Sequence, residues 1–345
     1  MKTLICDAEG KLSVQEIPKP TYTSKQALVK TIACGICNGT DAKLIHRSFK
    51  GFNPDQYPLM LGHEGVGEVI EVGSEVTSYK IGDKVLLPFV DADPELYGDL
   101  QSAWGAYSEY GIIHDAAAYP EGTAPECAYA QTVLPESIDP VNASMIVTLR
   151  EVLSSIRRFG IKEKESVAIF GCGPVGLTFI RFMKLLGVGP IIAFDVIGEK
   201  LTEAKKNGAD YAFNSKTDDV VKAVHMICPD GVRYVLDAVG LTSLINFSME
   251  LVCDQGKMCC YGISPVTNMQ IDWENAPYNW GLQFQQFPSK KEEGEANDQI
   301  NEWILNGTIE LKDYISDYFE FDEILGAFEK LERREIAKKG IVVYR

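Results

Sequence analysis

The sequence predicts an α/β protein in which a β-rich domain is joined to a doubly wound parallel sheet. Short β-type runs separated by Gly, Pro and Asp fill the first third of the chain. Strand-like and helix-like segments then alternate, which is typical of a parallel sheet with helices on both faces. A glycine-rich turn connects the first strand of this alternation to its first helix. Because the chain has 345 residues and domains usually have roughly 100 to 200, two domains are expected.

The first domain is predicted over residues 1–149. Its short strands are separated by turn residues, which favours a compact β-rich fold. The strand candidates are Lys2–Cys6, Leu12–Ile17, Ala27–Ala33, Gly67–Val72, Asp83–Leu87 and Tyr107–Ile113. Residues 289–345 show a polar helical stretch and then similar short strands, so this segment is expected to return to the first domain.

The second domain is predicted over residues 150–288. Its strand candidates are Val167–Phe170, Ile191–Asp195, Tyr211–Phe213, Tyr234–Leu236 and Lys257–Tyr261. Its helix candidates are Val175–Leu186, Glu199–Asn207, Val220–Met226 and Leu244–Leu251. The charged run Lys290–Glu295, just beyond this domain, is interpreted as a solvated loop or the start of a helix.

Composition and charge exclude several classes of partner. The net charge of −16 repels phosphate backbones and anionic lipids, so no nucleic-acid partner is expected. No apolar run approaches the ~20 residues of a membrane helix, and Met1 leads directly into a strand pattern without a signal-peptide core. The nine cysteines are odd in number and widely spread, which predicts reduced thiols. We therefore expect a cytoplasmic protein with no membrane partner.

The glycine-rich turn GCGPVG follows the strand candidate Val167–Phe170 directly and opens a helix. In this context the first glycine permits a tight turn, the second lets a pyrophosphate approach the backbone, and the third lets helix and strand pack closely. Free amides at the helix start would face the anion. The turn therefore predicts a dinucleotide site, with these candidate residues: Gly171, Gly173, Pro174, Val175 and Gly176.

Asp195 ends the next strand candidate, nineteen residues after Gly176. A carboxylate there accepts hydrogen bonds from the adenosine ribose hydroxyls and repels a 2′-phosphate. The expected cofactor is therefore NAD rather than NADP, with Lys200 a further candidate beside the ribose. The alternative interpretation of Asp195 is a helix N-cap.

Residue types that bind metals cluster at two places in the first domain. His63 and Glu64 are adjacent in a glycine-rich segment, and Cys34 and Cys37 form a CxxC pair after a strand. A CxxC pair alone can be redox-active. Because the chain has no second pair with which to build a closed four-sulfur zinc site, these residues favour an open catalytic metal site.

Over essentially the whole chain, the sequence resembles the zinc-dependent medium-chain alcohol and polyol dehydrogenases, in particular the sorbitol dehydrogenase-like branch. Their zinc signature is matched by Gly62, His63, Glu64, Gly67, Gly73 and Val76. Similar recurrent segments are Gly105–Tyr110, Gly208–Asp210 and Asp237–Gly240. The resemblance implies a GroES-like catalytic domain and a Rossmann domain, with Val239 as a further cofactor-binding candidate.

The resemblance also implies one catalytic zinc ion and a set of residues for it. Cys37 resembles the zinc cysteine, His63 the zinc histidine, and Glu64 the adjoining carboxylate that coordinates directly in some members. Glu151 resembles the glutamate that polyol dehydrogenases place near the metal, although a surface carboxylate on the linking helix is the alternative. The candidate catalytic residues are Cys37, Thr40, His63 and Glu64, with Thr40 as the proton relay.

Two departures from the family affect these expectations. One residue is inserted between Cys37 and the Thr40-Asp41 pair, so the place of Thr40 is open and Cys34 stays an alternative ligand. Residues 85–110, where many relatives bind a structural zinc, contain no cysteine, so no structural zinc is expected. The acids of Asp91–Glu95 in that stretch are interpreted as a solvated loop, with contact to substrate hydroxyls as the alternative.

The expected function is hydride transfer between NAD and a secondary alcohol, namely a polyol, sugar or cyclitol. Glu151 and the missing cysteines favour this small-molecule class over simple alcohols. The alternatives are an aldehyde or short-chain alcohol reductase on the same scaffold, and a non-catalytic NAD-binding sensor or structural protein. The resemblance further implies a homo-oligomer, either a dimer or a tetramer. Trp104, Trp280 and Phe284 are pocket candidates, although a place in the core is the simpler interpretation.

Overall fold

The computed structural model describes residues 1–264, 266 and 268–345. The described residues divide into two compact units. The first, here called the catalytic unit, consists of Met1–Arg150 and Ser289–Arg345. The second, here called the nucleotide unit, consists of Glu151–Pro288. The chain therefore leaves the catalytic unit once and later returns to it.

The catalytic unit begins with a series of short strands and helices. In chain order these are β1 (Lys2–Cys6), β2 (Leu12–Glu16), β3 (Gln26–Ile36), α1 (Thr40–Ile45), β4 (Leu59–Met60), β5 (Gly65–Val72), β6 (Lys84–Leu86), α2 (Pro94–Tyr97), β7 (Gln101–Ser102) and β8 (Tyr110–His114). Helix α3 (Met145–Phe159) begins in this unit and ends in the nucleotide unit.

The nucleotide unit alternates strands with helices. Its elements are β9 (Val167–Phe170), α4 (Pro174–Leu185), β10 (Ile191–Asp195), α5 (Gly198–Lys206), β11 (Tyr211–Asn214), α6 (Val220–Ile227), β12 (Val232–Asp237), α7 (Ser243–Ser248), β13 (Val252–Cys260) and β14 (Trp280–Phe284). The six strands are parallel, in the order β11-β10-β9-β12-β13-β14. Strand order reverses between β9 and β12, and ligands of such sheets bind at the carboxyl ends of the strands beside that reversal.

The returning segment completes the catalytic unit. Its elements are α8 (Lys290–Glu295), α9 (Asn297–Leu305), β15 (Ile315–Glu320), α10 (Ile324–Glu332) and β16 (Lys339–Val343). One sheet of this unit has the order β2-β1-β4-β7, and the other has the order β15-β16-β3-β5-β6. Strands β8 and β16 pair with successive parts of the long β3, so residues from distant parts of the chain meet there.

The predicted fold class, a GroES-like β-rich domain with a Rossmann sheet, is confirmed, and several element bounds differ. The run Lys290–Glu295 is helix α8 and not a loop, because Ser289 accepts a hydrogen bond from the Glu292 amide as its N-cap. Glu293 is buried and lies 2.8 Å from Lys290 Nζ, so the run is not simply solvated.

Burial explains why strands of the nucleotide unit appear in the sequence as continuous apolar runs. Strands β9 and β10 are almost fully buried, as expected for parallel strands with helices on both faces. Phe194 stacks on Phe170 at 4.9 Å and on Phe213 at 6.0 Å, so three neighbouring strands share an aromatic ladder. This rigid sheet carries the turns that follow its strands. No helix formed by the described residues is long and apolar enough to cross a membrane.

Candidate functional site

Three residue types that bind zinc meet in the catalytic unit. One ligand atom each from Cys37, His63 and Glu64 lies within 4.8 Å of the other two. Cys37 follows the end of β3, and His63 and Glu64 come immediately before β5. Strands β3 and β5 are paired, so the sheet itself brings the two sequence segments together. Sulfur, imidazole and carboxylate are a donor set that suits zinc.

The segment after β3 is a tight turn that leads into helix α1. The Asp41 amide donates to the Cys37 carbonyl at 3.0 Å, and the Thr40 amide donates to Cys37 Sγ at 3.5 Å. Thr40 is the first residue of α1 and is buried. The inserted residue is therefore absorbed in the turn Asn38-Gly39, and Thr40 stays next to the thiol.

Asp41 links the two sides of this group. Its Oδ2 accepts the Cys37 amide at 2.9 Å and the Tyr107 hydroxyl at 2.7 Å. Its Oδ1 lies 3.5 Å from His63 Nδ1, while His63 Nε2 lies 3.9 Å from Glu64 Oε1. One nitrogen of the imidazole thus faces a carboxylate that can orient the ring, and the other faces the candidate ligands.

Charge at His63 supports a cation site. Burial acts to lower the pKa of His63, but Asp41 and the Cys37 sulfur outweigh it and raise the pKa well above its ordinary 6.5. Asp41 Oδ1 and His63 Nδ1 are both buried, and neither makes a regular hydrogen bond to a described residue. The surroundings therefore favour positive charge at the imidazole, which a divalent cation would supply in place of the proton.

Glu64 is held by two further residues of the catalytic unit. Lys339 Nζ, at the start of β16, lies 2.7 Å from each carboxylate oxygen, and Thr148 donates to Oε1 at 3.1 Å. A Cβ on Gly35 would lie 2.2 Å from Glu64 Oε2, so only glycine leaves this carboxylate its place against β3. Glu64 is thus both a member of the ligand group and the partner of a half-buried lysine.

Among the described residues, the other metal candidates do not belong to this ligand group. Cys34 is fully buried, and burial raises the pKa of its thiol well above the ordinary value, which makes it a poor ligand beside Cys37. Glu151 belongs to the nucleotide unit, and among the described residues the ligand group contains Cys37, His63 and Glu64 without it. Of the acids in Asp91–Glu95, Asp93 caps α2 by accepting the amides of Glu95 and Leu96.

The glycine-rich turn lies between β9 and α4 in the nucleotide unit. Gly171 has φ +98°, and a Cβ on Gly176 would lie 1.9 Å from the Gly171 carbonyl oxygen, so both positions require glycine. A Cβ on Gly173 would meet nothing within 4 Å. Pro174 and Val175 form the first turn of α4. The space at Gly173 is where a ligand could approach the backbone.

Asp195 stands at the end of β10, beside this turn. Its Oδ2 accepts the Cys172 amide at 2.8 Å, and its Oδ1 accepts the Ile197 amide at 3.0 Å. Lys200 lies on α5, and Val239 follows β12 with about half of its surface exposed. Asp195 and Val239 follow β10 and β12, the two strands that flank β9 in the parallel sheet.

Sequence reasoning missed several residues that shape the metal site. Lys339 is 275 positions from Glu64, and no local pattern connects them. The sequence shows Asp41 as part of the Thr-Asp pair. It does not show that the Asp41 carboxylate lies between Cys37 and His63. Trp104 is half-buried, with its ring 5.4 Å from the His63 ring, so it borders the site rather than filling a core.

Comparison with known proteins agrees with these observations. A family model described as alcohol dehydrogenase GroES-like domain matches residues 23–124, and one described as zinc-binding dehydrogenase matches residues 174–287. The chain is 32% identical to an alcohol dehydrogenase of Geobacillus stearothermophilus over 62% of this chain and 63% of that protein, which is less than two thirds of its length.

Two relatives from Bacillus subtilis (strain 168) match over longer regions. The zinc-type alcohol dehydrogenase-like protein AdhB is 30% identical over 70% of this chain and 68% of its own length. A sorbitol dehydrogenase is 24% identical over 96% of this chain and 93% of its own length. Among solved structures, the alcohol dehydrogenase TADH from Thermus sp. ATN1 has the same fold, with a TM-score of 0.77, 23% identity and full coverage of both chains. The chain belongs to the zinc-type medium-chain alcohol dehydrogenase family.

Proposed function

We propose that this protein oxidises a secondary alcohol to a ketone with NAD as the acceptor, and that one zinc ion serves the reaction. The observation that carries the proposal is the convergence of the half-buried Cys37 with the buried His63 and Glu64 in one group of possible metal ligands. When bound, zinc stabilises negative charge on the substrate oxygen.

The residues of the catalytic unit have distinct tasks in this proposal. Cys37 and His63 bind the metal, and Asp41 orients both of them through its two carboxylate oxygens. Thr40, next to the Cys37 thiol, accepts the proton of the substrate hydroxyl. Glu64 and Glu151 are the two candidates for a carboxylate ligand. The ion pair with Lys339 makes the Glu64 carboxylate less available to the metal.

The nucleotide unit binds the acceptor in this proposal. The amides of the turn at Gly171–Gly176 would hold the pyrophosphate, and the open space beside Gly173 would let it approach the backbone. Asp195 accepts hydrogen bonds from the ribose hydroxyls and thereby favours NAD over NADP, with Lys200 as a further residue beside the ribose. Val239 contacts the cofactor. A bound nicotinamide would supply the acceptor for the hydride of the carbinol C–H bond, and Thr40 would carry away the hydroxyl proton.

We propose a polyol, sugar or cyclitol as the substrate. This choice is supported by the similarity to a sorbitol dehydrogenase over nearly the whole chain and by the identity of residue 151 as glutamate. The cytoplasmic location and the homo-oligomeric state remain predictions from the sequence.

The test is an NAD-reduction screen over polyols, sugars, cyclitols and simple alcohols, with zinc measured on the same sample. We expect about one zinc per chain and activity that a chelator removes and zinc restores. Activity confined to short-chain alcohols or aldehydes would overturn the substrate class. NAD binding without stoichiometric zinc and without turnover would point instead to a non-catalytic NAD-binding protein.

A further inference from the structure

Tyr107 connects the two chain segments that supply the ligand group. It is fully buried in the catalytic unit, between β7 and β8. Its hydroxyl lies 2.7 Å from Asp41 Oδ2 and 2.8 Å from the Gly35 carbonyl oxygen. An ionised carboxylate and a carbonyl can only accept a hydrogen bond, so the tyrosine hydroxyl is the donor. The side chain of Tyr107 therefore binds the segment at the end of β3, which leads to Cys37.

The backbone of Tyr107 binds the other segment, which carries His63. The Tyr107 amide donates to the Leu61 carbonyl at 2.9 Å. A Cβ on Gly62 would lie 2.4 Å from the Tyr107 nitrogen and 2.7 Å from Cδ2 of the tyrosine ring. Only glycine before His63 therefore leaves room for Tyr107 at this place. One residue thus contacts both segments, through its backbone and ring on one side and its hydroxyl on the other.

The hydroxyl of Tyr107 helps to orient the Asp41 carboxylate. Asp41 is fully buried, and its Oδ2 accepts both this hydroxyl and the Cys37 amide, the latter at 2.9 Å. Two donors on one oxygen hold the plane of the carboxylate, so that Oδ1 faces His63 Nδ1 at 3.5 Å. The partner of the second nitrogen orients a histidine that binds a metal. The orientation of His63 therefore depends in part on the hydroxyl of Tyr107.

The rest of the fold holds Tyr107 in place. Its ring meets the Phe328 ring of α10 edge to face, with centroids 5.7 Å apart and planes at 90°. The Leu4 amide of β1 donates to the Tyr107 carbonyl at 3.0 Å. The position of the hydroxyl is therefore set by several elements of the catalytic unit and not by Asp41 alone.

We propose that Tyr107 is a positioning residue for the metal site, whose hydroxyl acts through Asp41 to hold Cys37 and His63 in the arrangement that binds zinc. The inference rests on the metal site of the proposed function and adds a residue to it. A site that is held in place before the ion arrives loses less conformational freedom on binding, so it binds the ion more tightly. A phenyl ring at position 107 would fill nearly the same space without donating to Asp41.

Tyr107→Phe tests the hydroxyl alone, and Tyr79→Phe is its matched control. Tyr79 is also buried in the catalytic unit, and its hydroxyl donates to the Gln131 carbonyl at 2.7 Å. Both variants lose one buried hydroxyl, so a similar small fall in the Tm of the zinc-free chain is expected. The zinc dissociation constant, measured by competition with a chelator, should rise about tenfold in Tyr107→Phe and stay within about twofold of the wild type in Tyr79→Phe.

Cobalt in place of zinc gives a spectroscopic measure of the same effect. A thiolate bound to Co²⁺ produces a charge-transfer absorption that depends on the geometry of the sulfur ligand. We expect this band to change in Tyr107→Phe and to match the wild type in Tyr79→Phe. An unchanged band together with unchanged zinc affinity in Tyr107→Phe would overturn the inference. Equal losses of zinc affinity in the two variants would also overturn it, because they would show a purely structural role.

A double-mutant cycle tests whether the effect of Tyr107 passes through Asp41. We expect Asp41→Ala to weaken zinc binding by about tenfold or more, and Tyr107→Phe to change the dissociation constant by less than about twofold when added to it. Asp41→Leu, which has no polar atom and keeps most of the side-chain volume, serves if the alanine variant does not fold. Additive losses of affinity would contradict a role through Asp41.

None of these measurements uses turnover, so the inference and the proposed function can fail separately. Tight zinc binding that Tyr107→Phe weakens, in a chain that oxidises no alcohol, would support the inference and contradict the proposed function. Alcohol oxidation in a chain whose zinc affinity Tyr107→Phe leaves unchanged would contradict the inference alone. A wild-type chain that binds no zinc would contradict both.

Discussion

The Glu64 carboxylate has two possible cationic partners in this protein. One is the ammonium of Lys339, 2.7 Å from both of its oxygens, and the other is the cation expected among Cys37, His63 and Glu64. Glu64 is almost fully buried, so its charge has to be neutralised by one of them. The strength of the Lys339–Glu64 ion pair therefore limits how strongly Glu64 can bind the metal.

Lys339→Met should tighten zinc binding. Removing one partner of a buried ion pair leaves a charge whose burial costs about 3–5 kcal/mol, and bound zinc would relieve part of that cost. We expect the dissociation constant of zinc, measured by competition with a chelator, to fall by about tenfold or more. Lys339→Arg should match the wild type, and so should Lys338→Met at the neighbouring exposed position. Equal zinc affinity in all variants would show that Glu64 is not linked to the metal.

Asp195→Ala should weaken the discrimination between NAD and NADP. The carboxylate repels a 2′-phosphate, so its removal is expected to lower the NAD to NADP ratio of kcat/KM by about tenfold. Because Asp195 also accepts the Cys172 amide, Asp195→Asn keeps a hydrogen-bond acceptor there and separates loss of charge from disturbance of the turn. An unchanged ratio in both variants would mean that another residue determines the preference for NAD over NADP.

At the residue scale, the sequence predicted those site residues that belong to short local motifs. Cys37, His63 and Glu64 were identifiable because each belongs to a short motif, and all three meet in the structure. Lys339 was not identifiable, because its proximity to Glu64 depends on the pairing of β16 with β3. Trp104 was a pocket candidate for which the core was the simpler interpretation, because an aromatic residue alone carries no sign of its backbone conformation.

At the scale of elements, the turn between β9 and α4 gives a matched pair of glycine variants. Gly176→Ala places a methyl group 1.9 Å from the Gly171 carbonyl oxygen, so we expect a less stable nucleotide unit with a lower Tm. Gly173→Ala meets nothing within 4 Å, so its Tm should equal that of the wild type while NAD affinity falls by about tenfold. Calorimetry measures both quantities. Normal NAD affinity in Gly173→Ala would place the pyrophosphate elsewhere.

The loop before β6 is fixed by one carboxylate after β8. Asp115 accepts the amide of Thr77 at 2.6 Å, the amide of Ser78 at 2.9 Å and the hydroxyl of Ser78 at 2.7 Å. Burial acts to raise the pKa of Asp115, but these hydrogen bonds and that of the Ala117 amide outweigh it and lower the pKa below its ordinary 3.8. The charged form of Asp115 therefore stabilises the folded state.

Asp115→Asn should make this stabilisation visible as a dependence on pH. A lowered pKa adds stability above the unfolded pKa of about 4, and this stability is lost as the pH falls through the folded value. We expect the variant to lose about 1–3 kcal/mol of unfolding free energy at pH 7, and the difference from wild type to shrink as the pH falls below the ordinary carboxyl pKa. Denaturant unfolding measures it, with Asp99→Asn as the exposed control. A difference that stays constant with pH would contradict the assigned charge.

Most strands of the parallel sheet were predictable, and the edge strand β14 was not. Strands β9 and β10 appear in the sequence as continuous apolar runs, because both faces are covered by helices. Strand β14 lies at the edge of the sheet with every residue at least partly exposed, and its sequence WGLQF alternates instead of forming the continuous apolar run of the central strands.

For the whole molecule, the two candidate sites belong to different compact units. Cys37→Ala and His63→Ala should therefore abolish turnover and reduce zinc to a small fraction of one ion per chain, while NAD affinity stays within about twofold of the wild type. Metal analysis and calorimetry on the same preparation measure both quantities. Cys127→Ala, at another thiol of the catalytic unit, is the control. Loss of NAD binding in the ligand variants would show that the two sites are not independent.

The return of the chain to the catalytic unit sets an order for biosynthesis. Residues 151–288 are contiguous, so the ribosome delivers the complete nucleotide unit before it delivers Lys339. Until β16 emerges and pairs with β3, the nascent chain holds Glu64 without its ammonium partner. The ion pair between Glu64 and Lys339 therefore forms only after translation has passed this strand, so the charge environment of Glu64 is completed late in synthesis.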